Sequence, residues 1–206
     1  MITPQQTLTI LNKLTNPLHY TLVLTCAATV LRASEIVSLR WSDILRNDGQ
    51  ICISKRWAKG EDGETKTEAS NGNVPMHPVL AQYLKEWRAQ SPYSKVDQFA
   101  FPSLVKDGKV PISASMFVKD YLPPAAVAAG VVLATGQRFG LHNLRHSLSN
   151  WLVNKGKVDP KTVQGMLRHS DIRTTMTLYT QDDREEKQAA QGAFLDAVGL
   201  GRRLVQ

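Results

Sequence analysis

The segment that follows Pro17, LHYTLVLTCAATVL, is apolar almost all the way around a helix. Proline is favoured in the first turn of a helix, so the pattern predicts a helix that begins at Pro17. A helix without a polar face has to be covered by other elements on every side. Any fold for this chain must therefore bury this helix.

Other helices are predicted on both sides of a central stretch of different character. Ser34 begins SEIVSLRW, and Pro78 begins PVLAQYLKEWRAQ. A helical segment from Ala114 to about Gly130 is interrupted by Pro123 and Pro124, because proline disrupts a helix interior.

The last third of the chain predicts four helices. The first ends near Gly156, the second begins at Asp159 and Pro160, the third follows Ser170, and the fourth runs from Gln188 to Val198. Their apolar faces are, for the first, Leu144, Leu148, Trp151 and Leu152; for the second, Val163, Met166 and Leu167; and for the fourth, Ala190, Phe194 and Val198.

Short strand-like runs lie between the two helical parts. Residues 50–54 and 73–76 predict two strands, separated by an exposed hairpin or loop that is rich in glycine, and Phe99–Phe101 predicts a third. The expected fold is a single, mainly α (α+β) domain: a helical bundle with a small antiparallel sheet of two or three strands.

Charge and cysteine usage limit the class of protein. The formal net charge of +7 fits a polyanionic partner, and it fits equally a basic protein that binds no nucleic acid. Cys26 and Cys52 lie in apolar runs and are interpreted as buried thiols, which suits a reducing cytoplasm. No signal-peptide pattern is present, and the apolar stretch 125–133 is too short to span a bilayer. We therefore expect a soluble cytoplasmic protein with no membrane partner.

Two segments contain basic residues suited to phosphate chemistry. Arg32, in TVLRASEIVSLRWSDI, offers a fork of donors to a phosphate, and Glu35 could hold that fork by an ion pair. Lys66, in ETKTEASNGNVPM, could deliver a proton to a leaving oxygen. Considered without the other segments, Arg32 and Glu35 are an ordinary ion pair on a helix surface, and Lys66 is a solvated loop residue.

Two further segments add histidines and a tyrosine. In LHNLRHSLSNWL, His142 and Arg145 are three residues apart, so both can face one point. His146 is interpreted as a packed structural histidine, and no metal site is expected because the zinc-site glutamate of HExxH is absent. In MLRHSDIRTTMTLYTQ, His169 precedes Tyr179, whose hydroxyl needs nearby basic groups to become a nucleophile at neutral pH. Taken singly, Tyr179 is a helix residue in line with apolar neighbours.

The ordered set is far more specific than its members. It occurs with the flanks LRxSE, TKTxAS, LHxLRHS and RHSDIRTTMxLYT, and its residues are Arg32, Lys66, His142, Arg145, His169 and Tyr179. In order, spacing and flanks the chain resembles the tyrosine recombinases, or phage integrases, from about residue 15 to residue 182.

The resemblance implies site-specific cleavage and rejoining of double-stranded DNA. Tyr179 would attack the scissile phosphate and form a 3′-phosphotyrosyl link, while Arg32 and Arg145 would clamp the non-bridging oxygens. Lys66 would protonate the leaving 5′-oxygen. His169 would donate a hydrogen bond to the phosphate and His142 would assist proton transfer at the tyrosine. No metal or other cofactor is implied, because the covalent link conserves the phosphodiester energy.

Two departures from the family pattern concern DNA contacts. Arg168 stands where the family usually has glycine before the histidine, and it adds bulk and charge beside the phosphate site. It is therefore predicted as a DNA contact together with Arg32, Lys66 and Arg145, or as a cause of reduced activity. Residues 71–73, Asn-Gly-Asn, replace a usual basic residue of the hairpin.

The resemblance also bears on domains and partners. Residues 1–206 are expected to form one catalytic domain with a helical tail at 183–206, and the family's N-terminal core-binding domain is expected to be absent. The tail either joins neighbouring protomers in a tetramer on DNA or packs on its own chain. The alternatives to a recombinase are a type IB topoisomerase and a catalytically silent DNA-binding remnant.

Overall fold

A computed structural model describes most of the chain, and its described residues are 2–45, 48–64, 71–132, 139–154, 156–169 and 171–176. The α-helices in this part are α1 (Pro4–Lys13), α2 (Pro17–Thr29), α3 (Ala33–Ser38), α4 (Pro78–Gln90), α5 (Ala114–Asp120), α6 (Leu122–Ala128), α7 (Leu141–Asn154), α8 (Pro160–Leu167) and α9 (Ile172–Met176). The strands are β1 (Ile44–Leu45), β2 (Gln50–Ile53), β3 (Lys55–Ala58), β4 (Glu61–Glu64) and β5 (Gly72–Pro75).

The apolar helix α2 is central, as predicted. The Asn16 side chain accepts a hydrogen bond from the Leu18 amide at 2.9 Å and so caps its N-terminus. Leu22, Val23 and Cys26 are fully buried. Because every face carries apolar side chains, α2 packs against α1, α3, α4 and α7 at once.

The main sheet has three antiparallel strands in the order β1-β2-β5. Ile51 of β2 lies opposite Ile44 of β1 and Val74 of β5, and all three side chains are buried against the helices. β3 and β4 form a separate two-stranded hairpin. The predicted strands at 50–54 and 73–76 are thereby confirmed to within a residue, and the glycine-rich stretch between them contains a hairpin.

The third strand is not where the sequence places it. Within Phe99–Phe101 the structure has an isolated bridge between Phe99 and Arg40 and no strand, so that prediction is wrong. The chain there is fixed by single backbone bonds to its neighbour, such as Ala100 N–H to the Leu39 carbonyl at 2.7 Å. The two-residue β1 takes the third place, and two residues are too short to show any periodicity.

Within the described residues the helix predictions hold with two exceptions. α1 is not predicted, although Thr3 and Gln6 form a reciprocal capping box at its start. Trp151 is 41% exposed, so its assignment to the buried face of α7 is wrong. It lies two turns beyond Leu144 on one side of the helix, and that side is buried at Leu144 but open at Trp151.

Other sequence predictions have mixed outcomes. α5 and α6 meet at Tyr121, which confirms the interruption near Pro123. Burial raises the pKa of the Cys26 thiol to about 12, whereas Cys52 is half-buried, so the prediction of two buried thiols is wrong for Cys52. No helix among the described residues is long and apolar enough to cross a membrane. Ser170 and the predicted helix 188–198 lie outside the described residues.

The helices from α7 onward close over a second, smaller apolar cluster. Its buried members are Val30, Val153, Val163 and Leu167. Asp159 caps α8 by accepting from the amides of Lys161 and Thr162 at 2.8 and 3.1 Å, as its position before Pro160 predicts. This cluster seats α8 against the end of α2.

Candidate active site

Arg32 lies at the start of α3, immediately after the turn that ends α2. Its Nη1 donates to Glu35 Oε1 at 2.8 Å, and its backbone N–H donates to Glu35 Oε2 at 2.9 Å. The Glu35 side chain is 3% exposed and that of Arg32 39%. The expected ion pair is therefore present, and the buried Glu35 carboxylate holds the partly exposed Arg32 guanidinium at the N-terminus of α3.

Arg145 approaches the same region from α7. The residue is 5% exposed, and its Nη1 donates to the Val30 carbonyl while its Nη2 donates to the Leu167 carbonyl at 2.8 Å. These two carbonyls end α2 and α8, so one guanidinium joins the ends of two helices. Burial, and then the charge of Arg32, lower the pKa of Arg145 to about 10, which leaves it protonated at neutral pH.

Both helix ends that Arg145 contacts are left-handed turns. Val30 has φ 50° and Arg168 has φ 51°. A β-branched residue in this region is strained, and the position after α8 is one that favours glycine. The two turns bring the Val30 and Leu167 carbonyls to one guanidinium.

His169 follows Arg168 in the chain, and its side chain contacts Arg145. Its Nε2 lies 3.4 Å from Arg145 Nη2, and its Nδ1 lies 3.1 Å from Thr175 Oγ1. Because a guanidinium can only donate, Nε2 accepts, and Nδ1 carries the proton and donates to Thr175. Burial, then the charges of Arg145 and Arg32, lower the pKa of His169, so the ring is neutral at pH 7.

His142 pairs with His146 on the next turn of α7. Their Nε2 atoms are 2.7 Å apart and the rings meet edge to face. Burial, then the charges of His146, Arg145 and Arg32, lower the pKa of His142. His146 is exposed, so its interpretation as a packed structural residue is wrong. The pair can pass a proton between its two rings.

Arg168 turns its side chain inward. Its Nη2 donates to Glu35 Oε2, the carboxylate that also holds Arg32, and its side chain is 7% exposed. Arg168 therefore belongs to the same cluster as Arg32, Arg145 and His169.

Six of the sequence-predicted site residues lie in the described part of the chain. Contacts link Arg32, Glu35, Arg145, Arg168 and His169, and His142 lies one turn before Arg145 on α7. Lys66 and Tyr179 lie outside the described residues and remain predictions. Four contacts of the site are not predicted from the sequence: Thr175 on His169, the carbonyls of Val30 and Leu167 on Arg145, and Arg168 on Glu35. Backbone carbonyls have no sequence signal, whereas Thr175 lies in the RHSDIRTTMxLYT segment, six positions after His169. Within the described residues no three His, Cys, Asp or Glu side chains are grouped to hold a metal ion.

Two relatives illustrate what the sequence is similar to. The chain is 34% identical over 153 residues to the tyrosine recombinase XerD of Rhizobium meliloti (strain 1021), which covers 74% of this chain and 43% of that protein. It is 32% identical over 155 residues to the tyrosine recombinase XerC of Chlamydia caviae, which covers 73% of this chain and 42% of that protein. The chain therefore spans less than half the length of these relatives.

Solved structures show the same fold. The Tn1549 transposon integrase in complex with circular intermediate DNA superposes with a TM-score of 0.77 at 21% identity, over 94% of this chain and 66% of that one. The catalytic domain of bacteriophage HP1 integrase superposes with a TM-score of 0.58 at 19% identity, over 93% of both chains. Residues 1–186 match the sequence model of the phage integrase family. The cluster around Arg32, Arg145 and His169 thus lies in a chain that belongs to the phage integrase family.

Proposed function

We propose that the chain is the catalytic domain of a site-specific tyrosine recombinase that cleaves and rejoins double-stranded DNA. The observation that carries the proposal is that Arg32 and Arg145, 113 positions apart in sequence, converge on the turn after α8. Arg32 reaches it through Glu35, which also binds Arg168, and Arg145 contacts the Leu167 carbonyl and His169. Two fixed guanidiniums are suited to the non-bridging oxygens of one phosphate. The named relatives are tyrosine recombinases, and the Tn1549 integrase was solved on DNA, which supports the proposal.

In the proposed reaction the Tyr179 oxygen attacks the scissile phosphorus and the bond to the 5′-oxygen breaks. Arg32 and Arg145 stabilise the charge that builds on the non-bridging oxygens. Lys66 gives its proton to the leaving 5′-oxygen, and neutral His142 takes the tyrosine proton and passes it towards His146. Attack of a 5′-hydroxyl on the phosphotyrosine reverses these steps. No metal or other cofactor takes part in this scheme.

His169 has a more specific requirement. Donation to the phosphate needs a proton on Nε2, the atom that accepts from Arg145 in the structure. The change requires the proton to move from Nδ1 or a second proton to bind. Thr175 can accept from Nδ1 in the doubly protonated form, so it supports that change.

The proposal extends to partners. Arg32, Lys66 and Arg145 would contact DNA phosphates, and a contact from Arg168 stays a prediction. Three further predictions concern the whole protein: a tetramer assembled on DNA through residues 183–206, a cytoplasmic location, and one catalytic domain over residues 1–206. Phosphate contacts dominate such binding, so we expect it to weaken steeply with salt.

A pool of nicked duplexes with randomised sequence around the nick tests the proposal and selects the preferred DNA site in the same experiment. The nick lies a few nucleotides 3′ of the cleaved phosphate, so the short fragment that carries the freed 5′-hydroxyl diffuses away, a covalent adduct accumulates and its DNA can be sequenced. We expect the wild-type chain, alone or fused to the N-terminal part of the Rhizobium meliloti relative, to form an adduct at a preferred sequence, and Tyr179→Phe to form none.

Two outcomes favour other functions. Absence of an adduct from both forms of the wild-type protein supports a silent DNA-binding remnant. Adducts without sequence preference, together with relaxation of supercoiled plasmid, support a topoisomerase.

A further inference from the structure

Arg168 occupies a backbone position that is costly for it. It ends α8 in the left-handed region, φ 51°, where glycine is favoured and where an arginine gains nothing from its backbone. Residues held in such conformations cluster at functional sites, so we infer that Arg168 is kept at this position for a functional reason.

The side chain adds a second cost. Its Nε and Nη1 are buried and have no hydrogen-bond partner among the described residues. In the described part of the chain Nη2 is the one paired nitrogen of this guanidinium, and its partner is Glu35. Buried unpaired donors are rare, and packing alone does not explain why an arginine is retained here. The buried nitrogens also do not reach a DNA phosphate as they stand, so a direct contact does not account for them.

The charge balance of the shared carboxylate supplies a reason. Arg32 and Glu35 alone form a neutral pair, with a formal charge of zero, beside the phosphate site. With Arg168 on the same carboxylate, the three residues carry one net positive charge. Inside a protein such a charge is screened far less than at the surface.

We propose that Arg168 is a positioning residue that acts through Glu35: by sharing this carboxylate it leaves Arg32 clamped but not neutralised, and so preserves the positive charge that faces the phosphate. The inference rests on the proposed function. It replaces the direct DNA contact predicted for Arg168 with an indirect electrostatic role.

A charge-balance cycle tests the proposal. Arg168→Met removes one positive charge, Arg168→Lys keeps it, and Arg168→Met with Glu35→Gln removes one charge of each sign. Single-turnover adduct formation on the selected nicked duplex should fall about tenfold in Arg168→Met, less than for loss of a direct donor. It should stay near wild type in Arg168→Lys and recover in the double variant. If the Met variant does not fold, Arg168→Gln carries the same loss of charge.

A second readout is independent of DNA cleavage. Inorganic phosphate, compared with chloride at equal ionic strength, should raise the melting temperature of the wild-type chain and of Arg168→Lys. The rise should be smaller in Arg168→Met and restored in the double variant. A merely structural role for Arg168 predicts that the double variant is no better than Arg168→Met in either assay, because a second buried contact has been lost.

The possible failures are distinguishable. If the wild-type chain forms an adduct but Arg168→Met matches Arg168→Lys in both assays, the role of Arg168 is refuted and the recombinase proposal stands. If Arg168→Met is slow and Glu35→Gln does not restore it, a direct contact or a structural role replaces the proposal. If no adduct forms but phosphate stabilisation follows the charge count, the recombinase proposal fails while the charge balance is supported.

Discussion

The body of the molecule and its α8–α9 part are held by different forces. The body, with α2 at its centre, encloses a large apolar core that includes Leu22, Leu84 and Phe101. α8 brings Val163 and Leu167, with the partly buried Met166, to the small second cluster. Its polar contacts with the body, within the described residues, include Arg145 on the Leu167 carbonyl and Arg168 on Glu35.

The candidate active site therefore lies at the junction between the body and the α8–α9 part, which is held by fewer apolar contacts than the main core. The guanidiniums that join α8–α9 to the body are also those of the candidate active site. A change there can disable the site while the body stays folded, whereas a change in the main core lowers the stability of the whole chain without altering the chemistry. Regions held by few apolar contacts open most easily.

Loss of the Arg145 side chain should have the largest effect on the junction. Arg145→Met leaves the buried carbonyls of Val30 and Leu167 without donors, which should cost about 2–4 kcal/mol of unfolding free energy. Adduct formation should fall at least about a hundredfold, because a direct phosphate donor is lost. Urea unfolding and the adduct assay measure the two effects. Arg88→Met, a half-buried arginine of α4, is the matched control and should leave adduct formation unchanged.

A pair of cavity variants separates the two regions directly. Leu84→Ala, in the main core, should cost about 2–5 kcal/mol but leave the adduct rate per folded molecule unchanged. Val163→Ala should cost less, about 1–2 kcal/mol, yet speed hydrogen exchange in α8 and lower the adduct rate. If both variants speed hydrogen exchange in α8 equally, the main core and the α8–α9 part are not separate regions of stability.

The pH dependence should come partly from the same junction. The pKa values of His142 and His169 are lowered by burial from 6.5, so between that value and the lowered one the unfolded state binds more protons than the folded state. Stability should therefore fall as the pH drops below about 6.5. Urea midpoints across this range should depend less on pH in His169→Asn than in wild type. Identical pH profiles for wild type and His169→Asn would refute the assignment.

The β3–β4 hairpin should show the smallest effect. Arg40 joins it to the body through an ion pair with Asp62 at 2.7 Å, and both side chains are more than a quarter exposed. A double-mutant cycle of Arg40→Met and Asp62→Asn should give a coupling energy of about 0.2–1 kcal/mol. A coupling energy above about 2 kcal/mol, measured by urea unfolding, would mean that this ion pair contributes to the stability of the body and is not a weak surface contact.

The sequence predicts elements well where local signals are strong. Asp159 with Pro160 predicts α8, and Pro17 and Pro78 predict α2 and α4 at the residue where they begin. Phe99–Phe101 has strand-like composition, but its position beside Arg40 decides its structure, and that neighbour is set by the fold. Local composition cannot report such a contact.

The candidate site divides in the same way. Residue types and order are enough to expect the Arg32–Glu35 pair, three positions apart, and to select Arg145 and His169. The Arg168–Glu35 pair joins positions 133 residues apart and depends on the left-handed turn after α8. The direction in which Arg168 points is therefore visible only in the structure.

Mapping the covalent adduct tests the central claim most directly. Among the five tyrosines of the chain, Tyr179 alone falls in the tryptic peptide TTMTLYTQDDR, residues 174–184. After adduct formation and nuclease digestion, mass spectrometry should find a nucleotide remnant on this peptide, attached at the tyrosine. A remnant on a peptide that contains another tyrosine, or an adduct that persists in Tyr179→Phe, contradicts the account.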